Sequence, residues 1–180
     1  METDPCNRPL APYPATKKAV EALGFTYHNL HDMNFTALRF FSVYGPRGRP
    51  DMMPYKILSN IFLGEEVPLY DAGRMVRDWT YVGDIVSGIV AAADRPLGYE
   101  VINVGRGQPV AVNDFIAEVE RQTGKTASFR KEKPPVTDVR YTHADLTKAE
   151  RLLRYAPTVS IADGVHRFCE WFIEAVLDEE

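Results

Sequence analysis

TALRFFSVY, residues 36–44, is the stretch whose reading decides the fold. It is dense in β-branched and aromatic side chains, Asn34 stands before it and Gly45-Pro46 closes it, so it reads as a buried strand between turn signals. The segments on either side have a helical pattern. Pro14 opens a run that reaches about residue 32, with Ala15, Ala19, Ala22, Leu23 and Leu30 as its apolar positions. Proline costs little in a first turn, where its missing N–H would find no partner anyway. Gly24 is the weak point of that helix. On the far side a Gly/Pro/Arg loop at 45–50 leads into apolar residues at helical spacing over 53–63, which stop at Gly64.

The alternation continues along the chain. Residues 67–70 form a short strand candidate and 77–82 (RDWTYV) a further extended piece. Asp84 is an N-cap candidate for the apolar helix 85–93, and 99–104 (YEVINV) reads as a strand. Asn113 is expected to cap a helix over 112–122 that ends at Gly124, followed by a short strand at 127–131. Helices are expected over 147–154 and 162–177, the second with Val165, Phe168, Cys169, Phe172 and Val176 on one face. Strands alternating with helices define an α/β chain. Its 180 residues suit one domain of ordinary size, and 46–54 is the segment able to join two lobes.

Composition narrows the class. A hydrophobic share of 45% and a charged share of 26% are those of a soluble globular protein. The net charge of −4, with no basic run, gives nucleic-acid binding no electrostatic support. No apolar stretch approaches the roughly 20 residues of a membrane span. The first residues lack the basic and apolar regions of a signal peptide, and Cys6 and Cys169 read as free thiols, so a cytoplasmic location is expected. His28, His31, His143 and His166 share no metal-ligand spacing.

Chemistry first shows at Tyr13 and Lys17, four residues apart at the start of the first helix. An ammonium beside a phenol favours the phenolate, lowering its pKa from about 10 toward working pH and making a proton-transfer unit. Taken alone, the same pair is also a helix-start aromatic and a solvated neighbour of Lys18. The order of the surrounding motifs adds to the reading. YPATKK at 13–18 is followed by LRFFSVYGP at 38–46, GRPDM at 48–52, RDWTYVGD at 77–84, INVG at 102–105, and a terminal Asp163-Gly164 with Phe168 and Trp171. Together these resemble the C-terminal part of the extended short-chain dehydrogenase/reductase family, the NAD-dependent nucleotide-sugar epimerases and dehydratases. The GRPDM loop is most similar to that of UDP-glucuronate 4-epimerases.

That resemblance implies a truncated extended short-chain dehydrogenase. Residues 1–50 would be the remnant of the Rossmann-like sheet, and 51–180 mainly the small substrate-binding α/β lobe, with some segments returning to the sheet. It implies Tyr13 as the base and Lys17 as the group that lowers its pKa and holds the nicotinamide ribose of NAD. Ser42 and Arg49 would grip the carboxylate of a UDP-hexuronate, a guanidinium being suited to two parallel hydrogen bonds. Arg77 would contact the diphosphate. Read without the family, Arg49 is a loop arginine in water and Arg77 a salt-bridge partner of Asp78 or Asp84. Arg47 stands where relatives often have an aromatic residue. Asp138 lies in a PPVTDV segment where relatives show Pro-Gly-Asp, and it receives no role.

The family begins with a Gly-rich turn that takes the pyrophosphate of NAD at a helix N-terminus. Gly105-Arg106-Gly107 is not that turn, because Gln108-Pro109 follow and no third Gly stands three positions on. The chain therefore reads as the second half of an epimerase. NAD belongs to the intact family and is not expected on this chain alone, which is expected to show little or no turnover. A homodimer, or a complex with a separate N-terminal half, is expected through the Tyr13 helix, with no nucleic acid and no membrane. The alternatives are a nucleotide-sugar-binding module and a non-catalytic oligomeric remnant.

Overall fold

The computed structural model describes residues 1–135 and 137–177. In chain order the elements are α1 (Pro12–His31), β1 (Phe35–Phe40), β2 (Ser42–Tyr44), α2 (Met53–Leu63), β3 (Glu66–Tyr70), β4 (Val76–Arg77), β5 (Trp79–Tyr81), α3 (Val82–Ala93), β6 (Tyr99–Val104), β7 (Val110–Ala111), α4 (Val112–Thr123), β8 (Ser128–Glu132), α5 (Thr147–Leu153) and α6 (Ile161–Phe172). The α/β class read from the sequence is the class of the fold. Three strand pairs are parallel, β1 with β6, β2 with β5 and β3 with β8, while β4 and β7 are antiparallel.

The deciding stretch is not one strand. Phe35–Phe40 runs in register with Tyr99–Val104, whereas Ser42–Tyr44 runs beside Trp79–Tyr81. The change takes place across one residue: Phe41 N–H donates to Val104 O at 3.2 Å, and Ser42 N–H donates to Asp78 O at 3.0 Å. An unbroken apolar run hides this break, because both halves are partly buried and carry strand-forming side chains.

Helices cover both faces of the β1–β6 pair. On one face lies α1, held by Glu21, whose carboxylate accepts from Arg39 Nε at 2.7 Å and Nη2 at 2.9 Å. Gly24 permits the close approach. A Cβ there would lie 2.2 Å from Cε1 of Phe35, so the weak point of the helix is where the strand's first ring packs. On the other face, Ile85 and Ala92 of α3 and Ala149 and Leu153 of α5 enclose Ile102 and Val104, with Leu38 and Val43 against them. A second core gathers α2, α4 and α6 around Trp79 and Tyr44, with Trp79 stacked on Phe115 at 4.5 Å between centroids.

Two expected helix caps are used otherwise. The first turn of α3 starts at Val82, so Asp84 lies inside it, and its carboxylate accepts from Thr158 N and Val159 N, both at 3.1 Å. Asn113 is likewise inside α4 and donates from Nδ2 to Ala72 O at 2.9 Å. Each polar group is taken by a distant loop. Gly64 and Gly124 end their helices as expected, with φ of 72° and 68°. The last helix is shorter than read: α6 stops at Phe172 and a π-helical turn continues over Ile173–Leu177. Cys6 is exposed and Cys169 buried, both free, and burial pushes the Cys169 thiol up to about 12.

Candidate functional site

The switch from β1 to β2 opens one wall of a cavity of about 790 Å³. The strand turns away at Phe41, and the loop after Tyr44 runs past Arg49 before α2 begins, so backbone from three segments surrounds the same space. Phe40, Phe41, Ser42 and Tyr44 form one side, Arg47, Gly48 and Arg49 the rim, and Met52, Met53 and Tyr55 another side. Arg77, Trp79, Asp138 and Thr142 complete it. Ser42, Arg49 and Arg77, from three separate motifs, are thus brought to one cavity.

Neither arginine stands free. Arg49 makes a two-pronged pair with Asp51, Nε to Oδ1 at 3.0 Å and Nη2 to Oδ2 at 2.6 Å. That pair holds the guanidinium above its usual range and the Asp51 carboxyl below the usual carboxylate range, and the Tyr13 phenol is a smaller influence on Arg49. Arg77 is 9% exposed and donates from Nη2 to Asp138 Oδ1 at 2.7 Å and from Nη1 to Val76 O at 3.0 Å. Its partner is neither Asp78 nor Asp84, both of which are taken up by backbone N–H groups elsewhere. Asp138, left without a role by the sequence, is the residue that pairs it; Val136 of the same segment lies outside the described residues. An acidic residue after a Pro-rich turn was the available signal, but 61 positions separate it from Arg77.

Tyr13 and Lys17 are not in the cavity wall. They stand at the start of α1 with Tyr13 71% exposed, and Lys17 Nζ lies over the phenol ring, 5.2 Å from its centroid. Tyr44 is the hidden tyrosine of the site. It is one of the residues around the cavity, but its hydroxyl is buried without a hydrogen-bond partner among the described residues, and burial pushes the phenol well above its ordinary range.

Asp78 accounts for the Gly-x-Gly turn. Its carboxylate accepts from Arg106 N at 2.7 Å and Gly107 N at 2.9 Å. These are the N–H groups a phosphate would require, so the turn does not fit the pyrophosphate of a dinucleotide. Among the described residues, at least four Asp or Glu side chains in this region are paired, and no cluster of acidic, His or Cys groups suits a metal ion. No described helix is long and apolar enough to cross a membrane.

A parallel strand pair covered by helices on both faces thus stands beside a cavity lined by three arginines, Arg47, Arg49 and Arg77. The chain matches the NAD dependent epimerase/dehydratase family over residues 1–105, more than half its length, and it belongs to that family. It is 40% identical over 169 residues to the UDP-glucuronate 4-epimerase of Thermodesulfobacterium geofontis, covering 93% of this chain and 52% of the relative. It is 42% identical over 173 residues to the uncharacterized protein MJ1055 of Methanocaldococcus jannaschii, covering 96% and 53%. The crystal structure of UDP-glucuronic acid 4-epimerase from Bacillus cereus, in complex with UDP-glucuronic acid and NAD, matches with a TM-score of 0.88 at 34% identity, over 93% of this chain and 54% of that one. The chain spans about half the length of the curated relatives it matches.

Proposed function

We propose that this chain is the sugar-nucleotide-binding part of an epimerase of the UDP-glucuronate 4-epimerase type. The observation that carries the reading is the convergence of Ser42, Arg49 and Arg77 on one cavity. A diphosphate would exchange for Asp138 on the buried Arg77, and a sugar carboxylate would exchange for Asp51 on Arg49, with the Ser42 hydroxyl as a further donor. Both exchanges replace one charge-assisted pair by another, which guanidinium forks accommodate well. Tyr13 is proposed as the base that takes the proton of a sugar hydroxyl, with Lys17 as the cation beside it and as a hold for the nicotinamide ribose. Residues 1–50 are proposed to belong to a Rossmann-like unit and 51–180 mainly to the substrate lobe, with returning segments.

The Gly-x-Gly turn offers the pyrophosphate of NAD no cradle, because Asp78 occupies it. The chain alone is expected to bind sugar nucleotides without turnover. This favours the binding-module alternative for the isolated chain. We also propose that the outer face of α1 meets a second copy or a separate polypeptide that carries the dinucleotide site.

Calorimetry tests the reading. UDP-glucuronate should bind, and Arg77→Ala should weaken it at least about ten-fold. Arg49→Ala should leave UDP affinity in place and abolish the preference for UDP-glucuronate over UDP-glucose. No heat at millimolar ligand would remove the proposal, and stoichiometric NAD with epimerisation by the chain alone would overturn the binding-only part.

A further inference from the structure

Asp78 is fully buried, and its carboxylate is used by no ligand-facing contact. Three backbone N–H groups from two distant segments converge on it: Arg106 at 2.7 Å, Gly107 at 2.9 Å and Ala144 at 2.9 Å. The Thr80 hydroxyl donates to the same carboxylate at 3.3 Å. The shape of the turn supports this convergence. Gly107 has a φ of +71°, and a Cβ on Gly105 would come within 2.7 Å of the Ala144 side chain. Successive N–H groups folded inward in this way form a concavity for an anion.

The backbone of the same residue faces the cavity wall. Asp78 N–H donates to Thr142 Oγ1 at 3.1 Å, and Asp78 C=O accepts from Ser42 N–H at 3.0 Å. Side chains alternate along an extended chain. While Asp78 points into the turn, its neighbours Arg77 and Trp79 both line the cavity.

We propose that Asp78 is a positioning residue: its carboxylate is a built-in anion that fills a backbone nest and, by doing so, fixes Arg77, Thr142 and Ser42 as one wall of the ligand cavity. For the ligand this inference rests on the function proposed above; for the nest it stands alone. The test uses the full chain, with UDP as the probe and formate as a replacement carboxylate. Asp78→Gly should bind UDP about ten-fold more weakly than the unaltered protein and melt at a lower temperature. Formate, compared with chloride at equal ionic strength, should raise both the UDP affinity and the melting temperature of the variant while doing neither for the unaltered protein. A side chain that acted only by filling space would not be replaced by a free carboxylate in preference to chloride.

Formate acting no better than chloride overturns the nest, and unchanged UDP affinity in Asp78→Gly overturns the positioning role. Should Asp78→Gly fail to fold, Asp78→Asn preserves the shape but turns an amide donor toward the N–H groups, and UDP affinity equal to the unaltered protein's would overturn the proposal. If the unaltered protein binds no UDP, the functional reading falls, and the formate dependence of melting decides the nest separately.

Discussion

Glu21 illustrates how one side chain in this protein joins two elements. It is the buried acid of α1 and serves Arg39 of β1, Lys18 of its own helix and, through its carbonyl, the hydroxyl of Tyr99 at 3.0 Å. Hydrogen bonds from Arg39 hold its carboxyl below the usual range, against the opposing effect of burial. The unfolded chain therefore takes up this proton more readily than the folded one, and the stabilisation is complete above the ordinary carboxyl value of 4.5 and lost as pH falls through the lower folded value. Urea unfolding as a function of pH should show a shallower acid loss in Glu21→Gln than in the unaltered protein. At neutral pH, Glu21→Ala should cost about 2 kcal/mol, less than for a fully buried pair because Arg39 keeps some contact with water. A charged residue inside the run 36–44 was the sequence's one sign that an acid must meet it. Which acid was not legible, since eighteen residues separate the pair. The same reason hid the Arg77–Asp138 pair and the donors of Asp78, whereas Ser42, Arg49 and Arg77 were legible as polar residues set in recognisable motifs.

Periodicity and turn chemistry located most elements. The strand at Tyr99–Val104 and the helix Met53–Leu63 fall where hydrophobic spacing put them, and the glycines after α2 and α4 end their helices. The failures share one cause, which is that local pattern does not encode the partner. The run 36–44 changes neighbours at Phe41, and the cap-forming side chains of Asp84 and Asn113 are drawn to loops that sequence spacing does not bring near. Packing between elements is close where Gly164 of α6 meets Tyr44 of β2. Gly to Ala inside a helix ordinarily gains about 1 kcal/mol. Here the added methyl would stand 2.1 Å from the Tyr44 hydroxyl. Gly164→Ala should therefore destabilise by about 1–3 kcal/mol. Tyr44→Phe removes an unpartnered buried hydroxyl and should stabilise by about 1 kcal/mol. Denaturant unfolding of both single variants and the double variant should show the double costing less than the two singles summed.

On the scale of the molecule, apolar surface is unevenly distributed. Val20, Leu23, Tyr27 and Leu30 are exposed along one stripe of α1, and Val86, Ile89 and Val90 along α3. A contiguous stripe of this kind marks an association surface. Sedimentation at micromolar protein should show a dimer, or a complex when a polypeptide carrying the dinucleotide site is supplied, and Leu23→Glu should shift the α1-mediated species toward monomer. A strict monomer in both settings would remove the proposed contact. The two hydrophobic cores, by contrast, are tied together through the stretch 36–44. Val43 sends its side chain to the core beneath α3 and α5, and Tyr44, the next residue, sends its own to the core of α2, α4 and α6. A chain that alternates its anchors in this way should leave neither half free to come apart first, so a single cooperative heat transition is expected, with no half-melted species in which to rest.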